Sequence, residues 1–507
     1  MAHAKTYSAQ MQGLETHIIT IEVDTANGLY YFSVVGLGDK AVDESKDRVS
    51  SAIKNSGYQS PKHKNQKLVI SLAPADMKKE GPVFDLGMAL AYLLASGDID
   101  FDPEGKLFLG ELALDGSVRQ VHGVLPIVRA AAELGFSEIF IPSENTIEAG
   151  LVRDVCVYPV SKLEELIGHL EKRKGYGLTP VPKTEIRKNM QKIDMDMSFI
   201  RGQESAKRGL EIAAAGGHNI ALYGPPGTGK TMLAKAFRGI LPPLINDEII
   251  EVTAIHSIAR TLGKTIITEP PFRAPHHTAS YASIIGGGAF PRPGEITLAH
   301  RGVLFLDEFP EFNSSVIDAL REPLEEKKIT VSRVRGSVTF PAHCILIAAM
   351  NPCPCGYGDD RCTCSAGRRE QYLHKISGPL IDRIDVWVAV SKIEYEKFGS
   401  IERKGETSET MRLRIEKART LQYDRCKKHG VKQKCNSELG VIEMEKIISL
   451  SPELSSFLAI TAERLGLSGR GYHRILKISR TIADLDGKEN IEKQHILEAL
   501  QYRQKLL

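Results

Sequence analysis

A glycine-rich turn set between a strand and a helix constrains this chain more than any other stretch. Ile220 to Tyr223 is short and apolar, as a buried strand is. It runs into Gly224-Pro225-Pro226-Gly227-Thr228-Gly229-Lys230-Thr231, and Met232 to Ile240 then reads as a helix. This is the G-x-x-x-x-G-K-[ST] pattern in the strand–loop–helix setting it requires. Gly224, Gly227 and Gly229 carry no side chain, so backbone N–H groups can wrap a polyphosphate. Lys230 is placed to reach its β- and γ-phosphates, and the Thr231 hydroxyl to hold Mg²⁺.

A phosphate loop needs acidic partners. The run Gly302-Val303-Leu304-Phe305-Leu306 ends in Asp307-Glu308, 77 residues after Lys230. Asp307 is expected in the Mg²⁺ shell and Glu308 as the base that orients and deprotonates the attacking water, two jobs that one carboxylate cannot share. A third strand pattern, Cys344 to Met350, ends in Asn351, whose amide can hold that water. Arg383, in Leu380-Ile381-Asp382-Arg383, follows 32 residues later and is a candidate arginine finger completing a neighbouring subunit's site.

At 507 residues the chain is long enough for about three domains. A net charge of +3 demands no polyanionic partner, so a nucleic acid has to be argued from local patches. No apolar run reaches the length of a membrane span, and Met1 to Gln10 lacks the apolar core of a secretory signal, so a cytoplasmic protein without membrane contact is expected. Eight cysteines suit a reducing compartment, and four of them form Cys353-Pro354-Cys355, six residues, then Cys362-Thr363-Cys364. Four thiolates on one short loop can close a tetrahedral Zn²⁺ site of the structural kind, with an iron–sulfur cluster or a redox pair as the alternatives. His276, His277, His374 and His473 show no ligand spacing and read as packing or hydrogen-bonding residues.

Residues 1–170 read as α/β, with strands at Ile18 to Val23, Leu68 to Leu72 and Ile139 to Ile141, and helices at Leu86 to Ala95 and Val124 to Leu134. The passages Ala75 to Asp85, Gly110 to Val118, Gly123 to Ile127 and Ile141 to Asn145 resemble the proteolytic domain of Lon and the same-fold (ribosomal S5 domain 2-like) domain of RadA. Lon's chemistry needs a hydroxyl beside a base. Here Val83 and Pro126 stand in those places, so the resemblance implies the scaffold without the peptidase, a structural or DNA-docking module. Residues 171–195, with Glu171-Lys172-Arg173-Lys174-Gly175, Pro180, Pro182 and the basic run Lys183 to Lys192, read as a linker or hinge. Residues 391–507 read as a helical lid, with helices at Thr407 to Lys427, Leu454 to Leu465 and Arg470 to Asp484.

Taken with Phe272-Arg273-Ala274-Pro275-His276-His277-Thr278, Gly286-Gly287-Gly288, Pro293-Gly294-Glu295-Ile296 and Asn351-Pro352-Cys353-Pro354-Cys355-Gly356, the whole chain resembles the ComM/YifB family of Mg-chelatase-like AAA+ ATPases. Gly38, where proline is expected, is a small departure. The resemblance implies an AAA+ core over 196–390 with a helix-2 insert, a ring of subunits, most simply a hexamer, and Arg470 as the sensor-2 arginine, with Arg474 on the same helix face as its rival. It also implies hairpins pointing into the pore of the ring, at Ser283 to Leu298 and Ile329 to Phe340. Arg333 and Arg335, near the turn of the second, are then candidates for contacts to a DNA backbone. The implied work is ATP-driven helicase or branch-migration activity that integrates single-stranded DNA in natural transformation. The alternative is a motor that remodels a protein partner, as Mg-chelatase subunits do.

Overall fold

The computed structural model describes residues 3–186, 195–263, 265–288, 291–333, 336–358, 361–392 and 405–503. They gather into two compact units, Met1–Arg187 with Asn246–Ile267, and Lys188–Ile245 with Thr268–Leu507. Of the sequence features singled out above, Arg335 and its neighbour Val334, the linker residues 187–194, residues 289–290 of the first expected hairpin and residues 393–404 and 504–507 of the expected lid lie outside the described residues.

The first unit holds a four-stranded sheet in the order His3–Gln12, Glu15–Asn27, Gln66–Ala73, Tyr31–Val35. Period-two alternation sets its buried face: Ile19, Ile21 and Val23 from one strand, and Leu68, Ile70 and Leu72 from its neighbour, all lie in one core. The helix Lys40–Asn55 lends Val42, Val49, Ala52 and Ile53 to that core, and the helix Asp85–Ala95 is buried along nearly its whole length. Gly38, just before the first of these helices, leaves no space for a side chain, because a Cβ there would stand 2.8 Å from Val42 Cγ1. A second, parallel sheet of Lys106–Phe108, Glu138–Pro142 and Cys156–Val160 has its own core with the helix Val124–Glu133. Val83 packs against both cores, and the Pro126 carbonyl accepts from Thr16 Oγ1 at 3.3 Å.

The helix Asn246–Ile258 also folds into this first unit, although it follows the phosphate-loop helix in the chain. Its Ile249, Val252 and Ile255 are buried, and so are Thr253, His256 and Ser257. Ser257 Oγ donates to Glu148 Oε2 at 2.7 Å and accepts from Gly123 N at 3.0 Å. Asn145 Nδ2 and Leu125 N also donate to the Glu148 carboxylate, at 2.6 and 3.3 Å, so every polar atom of this buried node is satisfied.

The second unit is built on a five-stranded, all-parallel sheet ordered Phe272–Arg273, Val303–Leu306, Ile345–Met350, Ile220–Tyr223, Val386–Ala389. Val303–Leu306 and Ile345–Met350 are buried at every position, which is why they read as unbroken apolar runs. The helices Glu204–Gly216 and Lys230–Ile240 contribute to the main core on this sheet. The helices Ser408–Lys428, Val441–Ile447, Pro452–Arg464, Gly469–Leu485 and Lys493–Gln501 follow and share that core. Fold class thus agrees with expectation: an α/β phosphate-loop core with a helical lid, preceded by a second α/β unit.

The insert differs from a plain hairpin. Ser283 to Leu298 comprises the end of the helix Tyr281–Ile285, a two-residue ladder of Gly286–Gly287 with Arg292–Pro293, and the helix Glu295–Leu298. Gly286 and Gly294 explain why so little of it is ladder: a Cβ at either would strike backbone, at 2.4 Å from the Arg292 oxygen and 2.4 Å from the Gly286 nitrogen. The second insertion is a true hairpin, Lys328–Arg333 against Gly336–Pro341, with Thr330 opposite Thr339 and Arg333 opposite Gly336.

Candidate functional site

The parallel register brings the C-terminal ends of three adjacent strands to one edge, with Leu304 level with Leu346 and Leu222 level with Ala349. Gly224, Asp307 and Asn351 therefore emerge side by side, where open α/β sheets place their ligands. Gly224 can be nothing larger, since a Cβ would lie 2.1 Å from the Val390 carbonyl oxygen. Gly227 and Gly229 hold the left-handed φ values of 74° and 92° that turn the loop, and the helix starts at Lys230 directly behind them. Pro225 and Pro226 stiffen the climb from the strand, and Thr228 Oγ1 closes the loop on the Pro225 carbonyl at 2.9 Å.

Lys230 is 8% exposed. Its Nζ donates to the carbonyls of Gly224 at 2.7 Å and Pro225 at 2.9 Å and to Asn351 Oδ1 at 3.1 Å. Burial pushes its pKa below the usual lysine value, partly offset by Asp307. Thr231 Oγ1 lies 2.8 Å from Asp307 Oδ2, so the hydroxyl and the carboxylate converge on one point. A hard divalent cation takes oxygen ligands of this kind, and the pair fits Mg²⁺ bridging to a phosphate. Asp307 Oδ1 accepts from the Glu308 backbone N–H at 3.0 Å. Glu308 itself sits at φ 51°, an unusual conformation for a glutamate, which turns its side chain away from the path of the strand.

The structure adds one partner that the sequence did not reveal. His277 Nδ1 is 3.1 Å from Glu308 Oε2, and the ring of His276 lies 4.1 Å from that of His277. The packing or hydrogen-bonding role expected of this histidine pair named no partner, and one member faces the candidate base. The available signal was positional, because His277 follows the strand Phe272–Arg273, which pairs with the strand that ends before Asp307.

The two candidate arginines meet each other. Arg383 pairs with Glu325 and with the Pro379 carbonyl, and Arg470 Nη2 is 3.6 Å from the other oxygen of Glu325. Arg474 is occupied elsewhere, near Asp382 Oδ1 at 3.4 Å and Asp385 Oδ1 at 3.8 Å, and is 11% exposed. That contact accounts for Arg474 structurally and leaves Arg470, at 63% exposure, as the arginine presented outward. Arg333 ends the hairpin strand Lys328–Arg333, and Arg335 lies outside the described residues.

The four cysteines Cys353, Cys355, Cys362 and Cys364 come together, with their sulfurs all within 4.8 Å of one another. Cys353 Sγ is 3.3 Å from Cys355 Sγ and 3.5 Å from Cys362 Sγ, and Cys355 and Cys362 are 3.4 Å apart. A tetrahedral zinc with Zn–S of about 2.3 Å sets its sulfurs about 3.8 Å apart, so the donor set and its spacing fit that ion. Burial pushes the Cys353 thiol up to about 11, whereas the Tyr357 backbone N–H draws Cys355 down to about 5. The remaining cysteines, Cys156, Cys344, Cys426 and Cys435, join no such group.

Comparison with known proteins agrees with this geometry. Residues 196–398 match the family described as magnesium chelatase, subunit ChlI; residues 21–145 match subunit ChlI of Mg-chelatase, and residues 405–503 the ChlI C-terminal family. Competence protein ComM of Haemophilus influenzae is 41% identical over 99% of this chain and 98% of its own length. The protein YifB of Escherichia coli is 41% identical over 97% of this chain and 95% of its own. DNA repair protein RadA of Streptococcus pneumoniae is 30% identical over 18% of this chain and 21% of its own.

Proposed function

The chain belongs to the ComM/YifB family of Mg-chelatase-like AAA+ proteins, and on that premise we propose that it is a ring-forming, ATP-driven motor acting on DNA. The observation that carries the ATPase reading is the convergence of Lys230, Thr231, Asp307, Glu308 and Asn351 on one sheet edge. Gly224 to Thr231 wrap the phosphates with backbone N–H groups, and Lys230 exchanges its carbonyl partners for phosphate oxygens. Thr231 and Asp307 would hold Mg²⁺, which would supply neutralising charge to the phosphates. Glu308 takes a proton from the attacking water that Asn351 positions. Arg383 of a neighbouring subunit stabilises the charge that develops, and the shared position of Arg470 at Glu325 supports delivery of both arginines from one face. The cysteine loop holds a structural Zn²⁺.

The DNA assignment draws on the names of relatives, a competence protein and a DNA repair protein, and on the hairpin strand that ends at Arg333, with Arg335 two residues on in the sequence. The proposed role is helicase or branch-migration work that integrates incoming single strands in natural transformation, carried out by a hexamer in the cytoplasm. A second reading, remodelling of a protein partner, is favoured by the magnesium chelatase domains. ATP turnover measured with and without forked DNA separates the two: stimulation and retention on DNA at low salt are expected, and neither is expected of a protein remodeller. Replacing Arg333 and Arg335 together by alanine should lower DNA affinity and reduce the slope of log affinity against log salt by about 1 to 2, with DNA-free turnover unchanged.

A further inference from the structure

The four-cysteine loop does not stand apart from the nucleotide site. Its first ligand, Cys353, follows Asn351 by two residues and is buried. Between Cys355 and Cys362 the backbone turns at Gly356, with φ 89°. A Cβ at Gly356 would lie 3.0 Å from Pro226 Cδ, 3.2 Å from Pro226 Cγ and 4.0 Å from Asn351 Nδ2. The bare backbone of the cysteine loop therefore rests on the phosphate loop and on the amide that meets Lys230. Gly358 makes a second close approach, since a Cβ there would be 2.6 Å from Pro352 Cγ, and the Gly356 N–H donates to the Cys353 carbonyl at 2.9 Å.

The segment itself carries little apolar side chain. Between Cys353 and Cys364 the chain offers one proline, two glycines, two aspartates, an arginine, a threonine and Tyr357, which is 40% exposed. Arg361 and Lys392 lie over the Tyr357 ring at 4.9 and 5.8 Å, and the four sulfurs draw the two ends of the loop together; four thiolates this close repel one another unless a cation holds them. The ion that closes the tetrahedron thus also fixes the surface against which Pro226 and Asn351 pack.

We infer that the four-cysteine centre is a zinc-held strut of the nucleotide site, so that zinc binding and ATP binding are thermodynamically coupled. This rests on the reading of Lys230 and Asn351 as parts of an ATP site. Coupling of this kind is reciprocal: whatever factor zinc adds to nucleotide affinity, nucleotide adds to zinc affinity.

The test uses the full chain. Zinc content by plasma mass spectrometry is expected at one ion per chain. Zinc affinity, from competition with a chromogenic chelator, is expected to rise about tenfold when a non-hydrolysed ATP analogue is present, and the affinity of the metal-stripped chain for that analogue to fall by the same factor. Gly356→Ala keeps all four thiols but inserts a methyl against Pro226 and strains a backbone held at φ 89°. It should retain its zinc while binding the analogue about tenfold more weakly. Gly356→Ala reads the contact without removing the metal, so it decides the question even if the stripped chain unfolds. A chain that holds no zinc, or whose zinc affinity ignores the nucleotide while Gly356→Ala binds it normally, overturns the inference. A zinc-loaded chain that binds no ATP analogue removes the ATP-site reading itself and the coupling with it; normal nucleotide binding that is indifferent to zinc removes the coupling alone.

Discussion

Glu308 and His277 show how much turns on single side chains. The histidine ring lies 3.1 Å from the carboxylate proposed to activate water. If Glu308 is the base, the oxygen that faces His277 has to be released before it can meet the attacking water, and the contact would then hold hydrolysis back. His277→Ala is therefore expected to raise DNA-free ATP turnover about fivefold and to flatten its response to forked DNA, read in a coupled ATPase assay. A variant with unchanged turnover and unchanged stimulation would strip His277 of that role. This contact was not legible in the sequence. Lys230, Thr231, Asp307 and Asn351 were, because each stands at a fixed offset from a strand end and the strand pattern survives in the apolar runs. His277 reaches Glu308 through the lateral order of strands, and a linear sequence does not state which strands are neighbours. Likewise Arg383 and Arg470 could each be singled out from a motif, but their meeting at Glu325 could not.

Among the secondary elements, legibility followed burial. The strands expected at Ile18 to Val23 and Leu68 to Leu72 are the buried centres of the longer strands Glu15–Asn27 and Gln66–Ala73, whose ends are more exposed and carry no periodic signal. The insert at Ser283 to Leu298 was harder, since its form is decided by glycine backbones meeting other backbones. One lid contact makes a pH-dependent prediction. Glu438 accepts from the Lys434 N–H at 3.0 Å and pairs with His343 Nε2 at 2.7 Å, joining the short helix Asn436–Glu438 to the segment that leads into Ile345–Met350. Burial opposes its charge, but His343 and the backbone donor outweigh that and hold its pKa down to about 2 from the usual 4.5. A depressed folded-state value means that the contribution is complete above 4.5 and fades as pH falls towards 2. Thermal melts of the wild-type chain and Glu438→Gln should differ at pH 7 by an amount that shrinks across that window. A constant difference down to pH 2 would show that the carboxylate charge is not what holds this tether.

For the assembled molecule, the prediction concerns shared sites. If Arg383 completes a neighbour's pocket, two inactive chains should rescue each other. Glu308→Gln and Arg383→Ala are each expected to lose about a hundredfold or more in turnover while still binding ATP. Mixed together, they form pockets that take Glu308 from one chain and Arg383 from the other, and ATPase activity should reappear with a maximum near equal proportions. No recovery at any ratio would place the complete pocket within one chain.

The helix Asn246–Ile258 changes what a cut in the chain could achieve. Its residues are covalently continuous with the phosphate-loop helix on one side and with the chain leading to the strand Phe272–Arg273 on the other, yet they are folded into the first unit around Ser257 and Glu148. The polypeptide thus passes between the two units three times, and a protease nick anywhere in 171–195 would sever only one of those passages. The first unit is consequently not a detachable accessory: it is laced through the sequence of the second, and the chain behind the phosphate-loop helix runs directly into it.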